Sequence, residues 1–259
     1  MRTTIVVPVY NEKNRLDLVR FQSFADKHPG IEFLFVDDGS SDHSAEHIES
    51  FLGARTSSSR LVRQSPNQGK GAAIRLGVLT ALQGTPDYIG YWDADLATPL
   101  ESIPEFLTLF TEKEDAYLVM GSRVKLLGRD IERQTWRHYL GRVFATCASL
   151  VLKLPVYDTQ CGAKIFKVQE QTQRVFQNPF LSRWLFDVEL LARFLCEGKR
   201  SAKGIYELPL QRWHDIKGSK VNAMAYIRSA LDLWKIHRKY GKALGGPNTT
   251  TANLDEQTP

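Results

Sequence analysis

Tyr88-Ile89-Gly90-Tyr91-Trp92-Asp93-Ala94-Asp95 reads as an apolar strand that ends on two carboxylates. Near-continuous apolar side chains mark a strand buried on both faces, the habit of a parallel sheet covered by helices. The two acids at its carboxyl end repel one another, and near a core both stay ionised only where a cation or several donors compensate. Mg²⁺ and Mn²⁺ take hard oxygen ligands and are commonly shared between one or two carboxylates and substrate phosphates. Asp93 and Asp95 are therefore candidate metal ligands, although alone they serve equally well as turn or capping residues ahead of Pro99.

Upstream of this strand, short apolar runs alternate with helical periodicity. The pattern predicts strands at residues 4–7, 32–36 and 60–63, and helices over 12–27, 41–52 and 69–82. Such a β-α-β-α-β-α-β order predicts an α/β fold with a mostly parallel sheet, helices on both faces and ligands beyond the carboxyl ends of the strands. Polar runs do cluster there. Pro8-Val9-Tyr10-Asn11-Glu12 stands where a dinucleotide enzyme would carry G-x-G-x-x-G, which argues against that class. Asp37-Asp38-Gly39-Ser40-Ser41-Asp42 offers a helix cap in Ser41 or Asp42 and a preceding acid that faces the cleft. Asn67-Gln68-Gly69-Lys70-Gly71 lacks G-x-x-x-x-G-K-[ST], which excludes a P-loop NTPase.

The 259 residues carry 34 Lys+Arg against 29 Asp+Glu, a formal charge of +5 that favours anionic partners only weakly. No nucleic-acid-binding motif is present. Cys147, Cys161 and Cys196 are widely spaced and form no C-x-x-C pair, so neither a zinc site nor a disulfide framework is expected, and a reducing cytosol fits best. Pro8 interrupts the first apolar run, no signal peptide is read at the N-terminus, and no window is long and apolar enough to span a membrane.

Taken together, Val7-Pro8-Val9-Tyr10-Asn11-Glu12, Val36-Asp37-Asp38-Gly39-Ser40, Asn67-Gln68-Gly69-Lys70-Gly71 and Asp93-Ala94-Asp95 resemble the nucleotide-sugar half of family 2 inverting glycosyltransferases of GT-A fold. Gly121-Ser122-Arg123, the run from Asp158 to Lys164 and the run from Arg183 to Leu191 resemble the polyprenyl-phosphate branch, its dolichyl-phosphate β-glucosyltransferases more closely than its mannosyl enzymes. The likeness spans about residues 3 to 240. It implies one GT-A domain over 1–244, with a nucleotide-sugar half at about 1–122 and an acceptor half at about 123–244, followed by a disordered tail at 245–259.

By that resemblance Pro8, Tyr10, Glu12 and Asp38 hold the nucleoside, and Lys70 lies at the nucleotide. Asp95 would hold Mg²⁺ or Mn²⁺ against the diphosphate, with Asp93 as a second ligand or ribose partner. A divalent ion would offset the charge that builds on the leaving group. Arg123 and Arg137 match positions that grip the acceptor phosphate, where anion meets anion and fixed positive charge is required. Because a phosphate monoester with a second pKa near ~6 is already a nucleophile at neutral pH, a strong general base is hardly needed. Asp187 and Glu189 are the candidates if one is used, and at i and i+2 on a helix they cannot share a face. Asp158 and Gln160 lie in the element whose small Cys161-Gly162 pair permits close backbone approach near the sugar, and Cys161 reads as packing. Lys217 and Lys220, in His214-Asp215-Ile216-Lys217-Gly218-Ser219-Lys220, resemble a loop that closes over the diphosphate.

The resulting expectation is transfer of a hexose, glucose or mannose, from UDP-glucose or GDP-mannose to a polyprenyl or dolichyl phosphate. The alternatives are transfer to a saccharide hydroxyl in envelope polysaccharide synthesis and a nucleotide-sugar-binding protein without catalysis. Compared with the eukaryotic dolichyl pattern, the chain begins at its first strand without an anchor ahead of it, so a cytoplasmic enzyme is expected. Residues 224–240 form an amphipathic helix that suits either core packing or peripheral contact with the inner face of a membrane.

Overall fold

The computed structural model describes residues 1–54, 59–132, 135–197, 202–214 and 223–245, with the side chains of 135–138 and 223–227 left out. Its order is β1 (Thr3–Val9), α1 (Leu18–Lys27), β2 (Ile31–Asp38), α2 (Ser44–Gly53), β3 (Arg60–Gln64), α3 (Lys70–Leu82), β4 (Tyr88–Trp92) and α4 (Ile103–Glu112). There follow β5 (Leu118–Ser122), β6 (Asp130–Glu132), α5 (Thr135–Leu152), β7 (Ala163–Lys167), α6 (Glu170–Gln177), α7 (Phe186–Cys196), β8 (Ile205–Pro209), β9 (Arg212–His214) and α8 (Ala223–Tyr240). The expected tail falls almost entirely outside the described residues.

Among the described residues seven strands form one sheet in the order β3-β2-β1-β4-β7-β5-β8, and β6 and β9 pair in a small second sheet. Neighbours run parallel except at β7, which is antiparallel to both β4 and β5. Alternation along each strand sends side chains to opposite faces. Val6, Leu34, Val36, Ile89 and Tyr91 meet the face covered by α3, α7 and α8, whereas Ile5, Val7, Phe33, Phe35 and Trp92 meet the face covered by α1 and α4. Both faces are thus dry, as the apolar strands required.

Two helix starts differ from the sequence expectation. Helix α2 begins at Ser44 and not at 41, with His43 and neither Ser41 nor Asp42 at its N-cap, because His43 takes a left-handed φ of 65°. The first helix begins at Leu18, because residues 12–16 turn instead, with the Arg15 and Leu16 N–H groups donating to the Glu12 carbonyl. Asp17 then caps α1 by accepting from the Arg20 N–H at 3.0 Å. The turn keeps Glu12 at the strand end.

Helix α3 lies tightly against β1 and β2. A Cβ on Gly77 would fall 2.3 Å from Val6 Cγ1 and 2.9 Å from Val36 Cγ2. Gly77→Leu should therefore destabilise the fold by about 3 kcal/mol, the upper end for overpacking, read as a lower urea midpoint with an unchanged slope.

Candidate active site

The chain reverses its direction of progress across the sheet between β1 and β4, and in doubly wound sheets the crevice at such a point binds ligands. The carboxyl end of β4 delivers Asp93 and Asp95 there. Leu96 adopts φ 55°, a left-handed conformation costly for a bulky side chain. This strained turn lets the Ala97 N–H donate to Asp95 Oδ1 at 3.1 Å. Lys70, the first residue of α3, places Nζ 2.5 Å from Asp93 Oδ1. Asp95 accepts from no side chain among the described residues. Burial and the neighbouring Asp93 charge push its carboxyl up to about 6, with Glu12 adding to the rise. An acid so placed is a ready ligand for a hard cation.

The nucleoside candidates occupy the ends of β1 and β2. Asp38 is 2% exposed, and its carboxylate accepts from Asn67 Nδ2 at 2.8 Å, Gln64 Nε2 at 2.5 Å, the Gln68 N–H at 2.8 Å and the Gly69 N–H at 2.7 Å. It shapes the loop before α3. Asn11, itself at φ 55°, ties the first loop to the second by accepting from the Ser41 N–H at 2.8 Å, while its own N–H donates to Ser40 Oγ at 2.9 Å. Glu12 is engaged by Arg15, and Tyr10 is exposed at the rim.

Because β7 runs against its neighbours, it starts where they end: Ala163 pairs with Trp92 and Lys164 with Met120. The loop before β7 consequently meets both Asp93 and Arg123. A Cβ on Gly162 would lie 1.9 Å from Asp93 Oδ2, so this position must be glycine for the carboxylate to seat. On the other side Asp158 grips Arg123 through both oxygens, at 2.6 Å to Nε and 2.8 Å to Nη2, and also accepts the Arg123 N–H. Against the cost of burial, the Asp158 charge raises the guanidinium pKa. Arg123 lies 5.3 Å from the Trp213 ring centroid.

A cavity of about 50 Å³ opens beside this pair, lined by Arg123, Arg142, Tyr157, Thr159 and Gln160 among others. Gln160 Nε2 and Thr159 Oγ1 are buried there without a hydrogen-bond partner among the described residues. Arg142 stacks on Tyr157, with its guanidinium carbon 3.6 Å from the ring centroid. Burial pushes the Cys161 thiol up to about 11, which agrees with a packing role.

Asp187 and Glu189 occupy positions different from those expected of a base. Asp187 is 3% exposed, and its Oδ1 accepts from Lys164 Nζ at 2.6 Å and from the Tyr91 hydroxyl. Glu189 is fully buried and accepts from Arg193 Nη2 at 2.8 Å, the Tyr240 hydroxyl at 2.9 Å and the Leu181 N–H at 2.6 Å. Both carboxylates are internal partners of α7. The Arg137 side chain, Lys217 and Lys220 lie outside the described residues. Sequence reasoning missed Lys164 altogether. Its signal was a lysine inside the apolar strand Ala163-Lys164-Ile165-Phe166, a residue type seldom buried without a partner.

Residues 4–170 match Glycosyl transferase family 2. The chain belongs to that family. A dolichyl-phosphate beta-glucosyltransferase of Trichomonas vaginalis is 32% identical over 247 residues, covering 90% of this chain and 70% of the relative. One of Dictyostelium discoideum is 32% identical over 251 residues, covering 92% and 74%. Among solved structures, mannosyl-3-phosphoglycerate synthase from Rubrobacter xylanophilus superposes with a TM-score of 0.70 at 13% identity, over 100% of this chain and 79% of that one. Glucosyl-3-phosphoglycerate synthase from Mycobacterium tuberculosis, solved with Mn²⁺, UDP-glucose and phosphoglyceric acid, gives 0.63 at 16% identity, over 92% and 80%. The fold of this family 2 glycosyltransferase is GT-A.

The raised pKa of Asp95 links its ionisation to the stability of the fold. Above its unfolded value of 3.8 the native state holds a carboxyl that resists ionisation, so this group costs stability as pH rises towards and past about 6. In the absence of metal, Asp95→Asn should stabilise the enzyme at pH 8 by roughly 2–3 kcal/mol. The gain should fade below pH 4, as measured by urea denaturation at both pH values.

Proposed function

We propose that this glycosyltransferase moves glucose, with inversion, from UDP-glucose to the phosphate of a polyprenyl or dolichyl lipid, using a divalent cation. The observation that carries the reading is the joining of two charge systems by one loop. Asp93, Asp95 and Lys70 face the crevice on its donor side, and Arg123 with Asp158 on its acceptor side. The names of the relatives support the sugar and the lipid phosphate.

Asp95, with Asp93 beside it, would hold the cation. The donor set is hard oxygen and suits Mg²⁺ or Mn²⁺. When bound, the ion would neutralise charge on the diphosphate. Lys70 would share that task from the first turn of α3, where the macrodipole already favours an anion. Pro8, Tyr10 and Glu12 would line the nucleoside pocket, and Asp38 would act by holding the loop at residues 64–69 in shape. Arg123, with Arg137, would receive the acceptor phosphate, leaving Asp158 and Gln160 near the sugar and Lys217 and Lys220 to close on the diphosphate. An anionic acceptor needs no proton removed, which agrees with the internal pairing of Asp187 and Glu189.

No helix among the described residues is long and apolar enough to cross a membrane. Helix α5 nevertheless contains no carboxylate and exposes Tyr139, Leu140, Val143 and Leu150. Next to it, α8 exposes Leu231 and Trp234, with Arg238 over the indole. This surface suits an anionic bilayer interface from the cytoplasmic side, where a lipid phosphate would present itself to the cleft. Flotation with phosphatidylcholine vesicles containing phosphatidylglycerol should carry the enzyme, and Val143→Glu with Leu150→Glu should leave it at the bottom.

The acceptor class is tested by product analysis with UDP-glucose, Mn²⁺ and a ten-carbon prenyl phosphate. An acid-labile glucosyl phosphate is expected. Preferential transfer to a saccharide hydroxyl would replace the reading. Arg123→Ala should lose transfer by about a hundredfold or more while UDP-glucose still binds, and Arg123→Lys should rescue it only partly, since lysine lacks the planar fork.

A further inference from the structure

Lys164 is fully buried on β7, and its ammonium has three N–H donors. All three find acceptors: Asp187 Oδ1 at 2.6 Å, the Cys161 carbonyl at 2.7 Å and the Thr159 carbonyl at 3.0 Å. A buried ion pair of this kind is a poor source of stability, because apolar residues of similar volume commonly do as well. What the pair supplies is geometry. The two carbonyls bracket Gln160 inside the loop at residues 158–162. At one end of that loop Asp158 orients Arg123, and at the other Gly162 seats Asp93. Asp187 in turn is anchored by the hydroxyl of Tyr91, two positions before Asp93 on β4.

We propose that Lys164 is a positioning residue for glycosyl transfer: by clamping the Thr159 and Cys161 carbonyls to Asp187, it fixes the loop that aims Arg123 at the acceptor phosphate. The proposal rests on the phosphate-acceptor reading given above. It makes the acceptor side more dependent on Lys164 than the donor side, because Asp93 has a direct partner of its own in Lys70.

The test compares wild type, Lys164→Met and the double variant Lys164→Met with Asp187→Asn, each as the full chain. Lys164→Met strands the Asp187 carboxylate and should lower the melting temperature. The double variant removes the stranded charge and should regain most of the loss. With a ten-carbon prenyl phosphate, both variants should show an acceptor KM raised about tenfold or more, while calorimetric UDP-glucose affinity with Mn²⁺ stays within about threefold. Backbone amides of residues 158–162 should exchange faster in the double variant than in wild type, even though global stability matches. Recovery of acceptor KM together with melting temperature would overturn the proposal, as would an equal loss of donor and acceptor binding. If wild type transfers nothing to the prenyl phosphate, the acceptor reading falls. Lys164 is then judged by amide exchange in the stability-matched variant, where unchanged protection of the loop removes its role.

Discussion

A single antiparallel strand placed between parallel neighbours organises this enzyme. Parallel strands all point their carboxyl ends at one edge, and each can bring only the loop that follows it. β7 reverses this and brings the loop that precedes it. That loop arrives between the end of β4, with its paired acids, and the end of β5, with Arg123. Asp93 and Arg123, from distant parts of the sequence, are thereby set against one segment of backbone, residues 158–162.

The charges of the crevice follow from how each is answered. Asp38 is met by four donors from the loop before α3, Asp93 by Lys70, Asp158 by Arg123 and Asp187 by Lys164. These pairs are short and partly or wholly removed from water, where an unanswered charge is most costly. Asp95 stands apart. Its carboxylate has one backbone N–H and the charge of Lys70 against burial and the repulsion of Asp93, which leaves it the least compensated of these acids. An acid left short of a partner in this way is open to a hard cation.

Much of this was legible in the amino-acid order. The alternation of apolar runs with helical segments gave every element from β1 to β4, since burial on both sheet faces leaves a strong signal in Thr4-Ile5-Val6-Val7 and Glu32-Phe33-Leu34-Phe35-Val36. The start of α1 was misplaced because Glu12 to Leu16 have helical periodicity, while the cap at Asp17 is a local matter of one side chain. Pairings between distant residues were less accessible. Nothing in Phe186-Asp187-Val188-Glu189 tells that both acids turn inward, because the partners Lys164, Tyr91, Arg193 and Tyr240 are brought to α7 by tertiary packing. The Arg123–Asp158 fork was likewise hidden, although each residue stood out alone.

Gly162 extends this logic to the way the enzyme can change over time. Its missing side chain is the space occupied by the Asp93 carboxylate, so a substitution there displaces that carboxylate. The same five-residue loop carries Asp158, on which Arg123 depends. A change at the Asp158 end is therefore made in a segment whose other end packs directly against Asp93. The two clusters of charge thus rest on one short stretch of backbone.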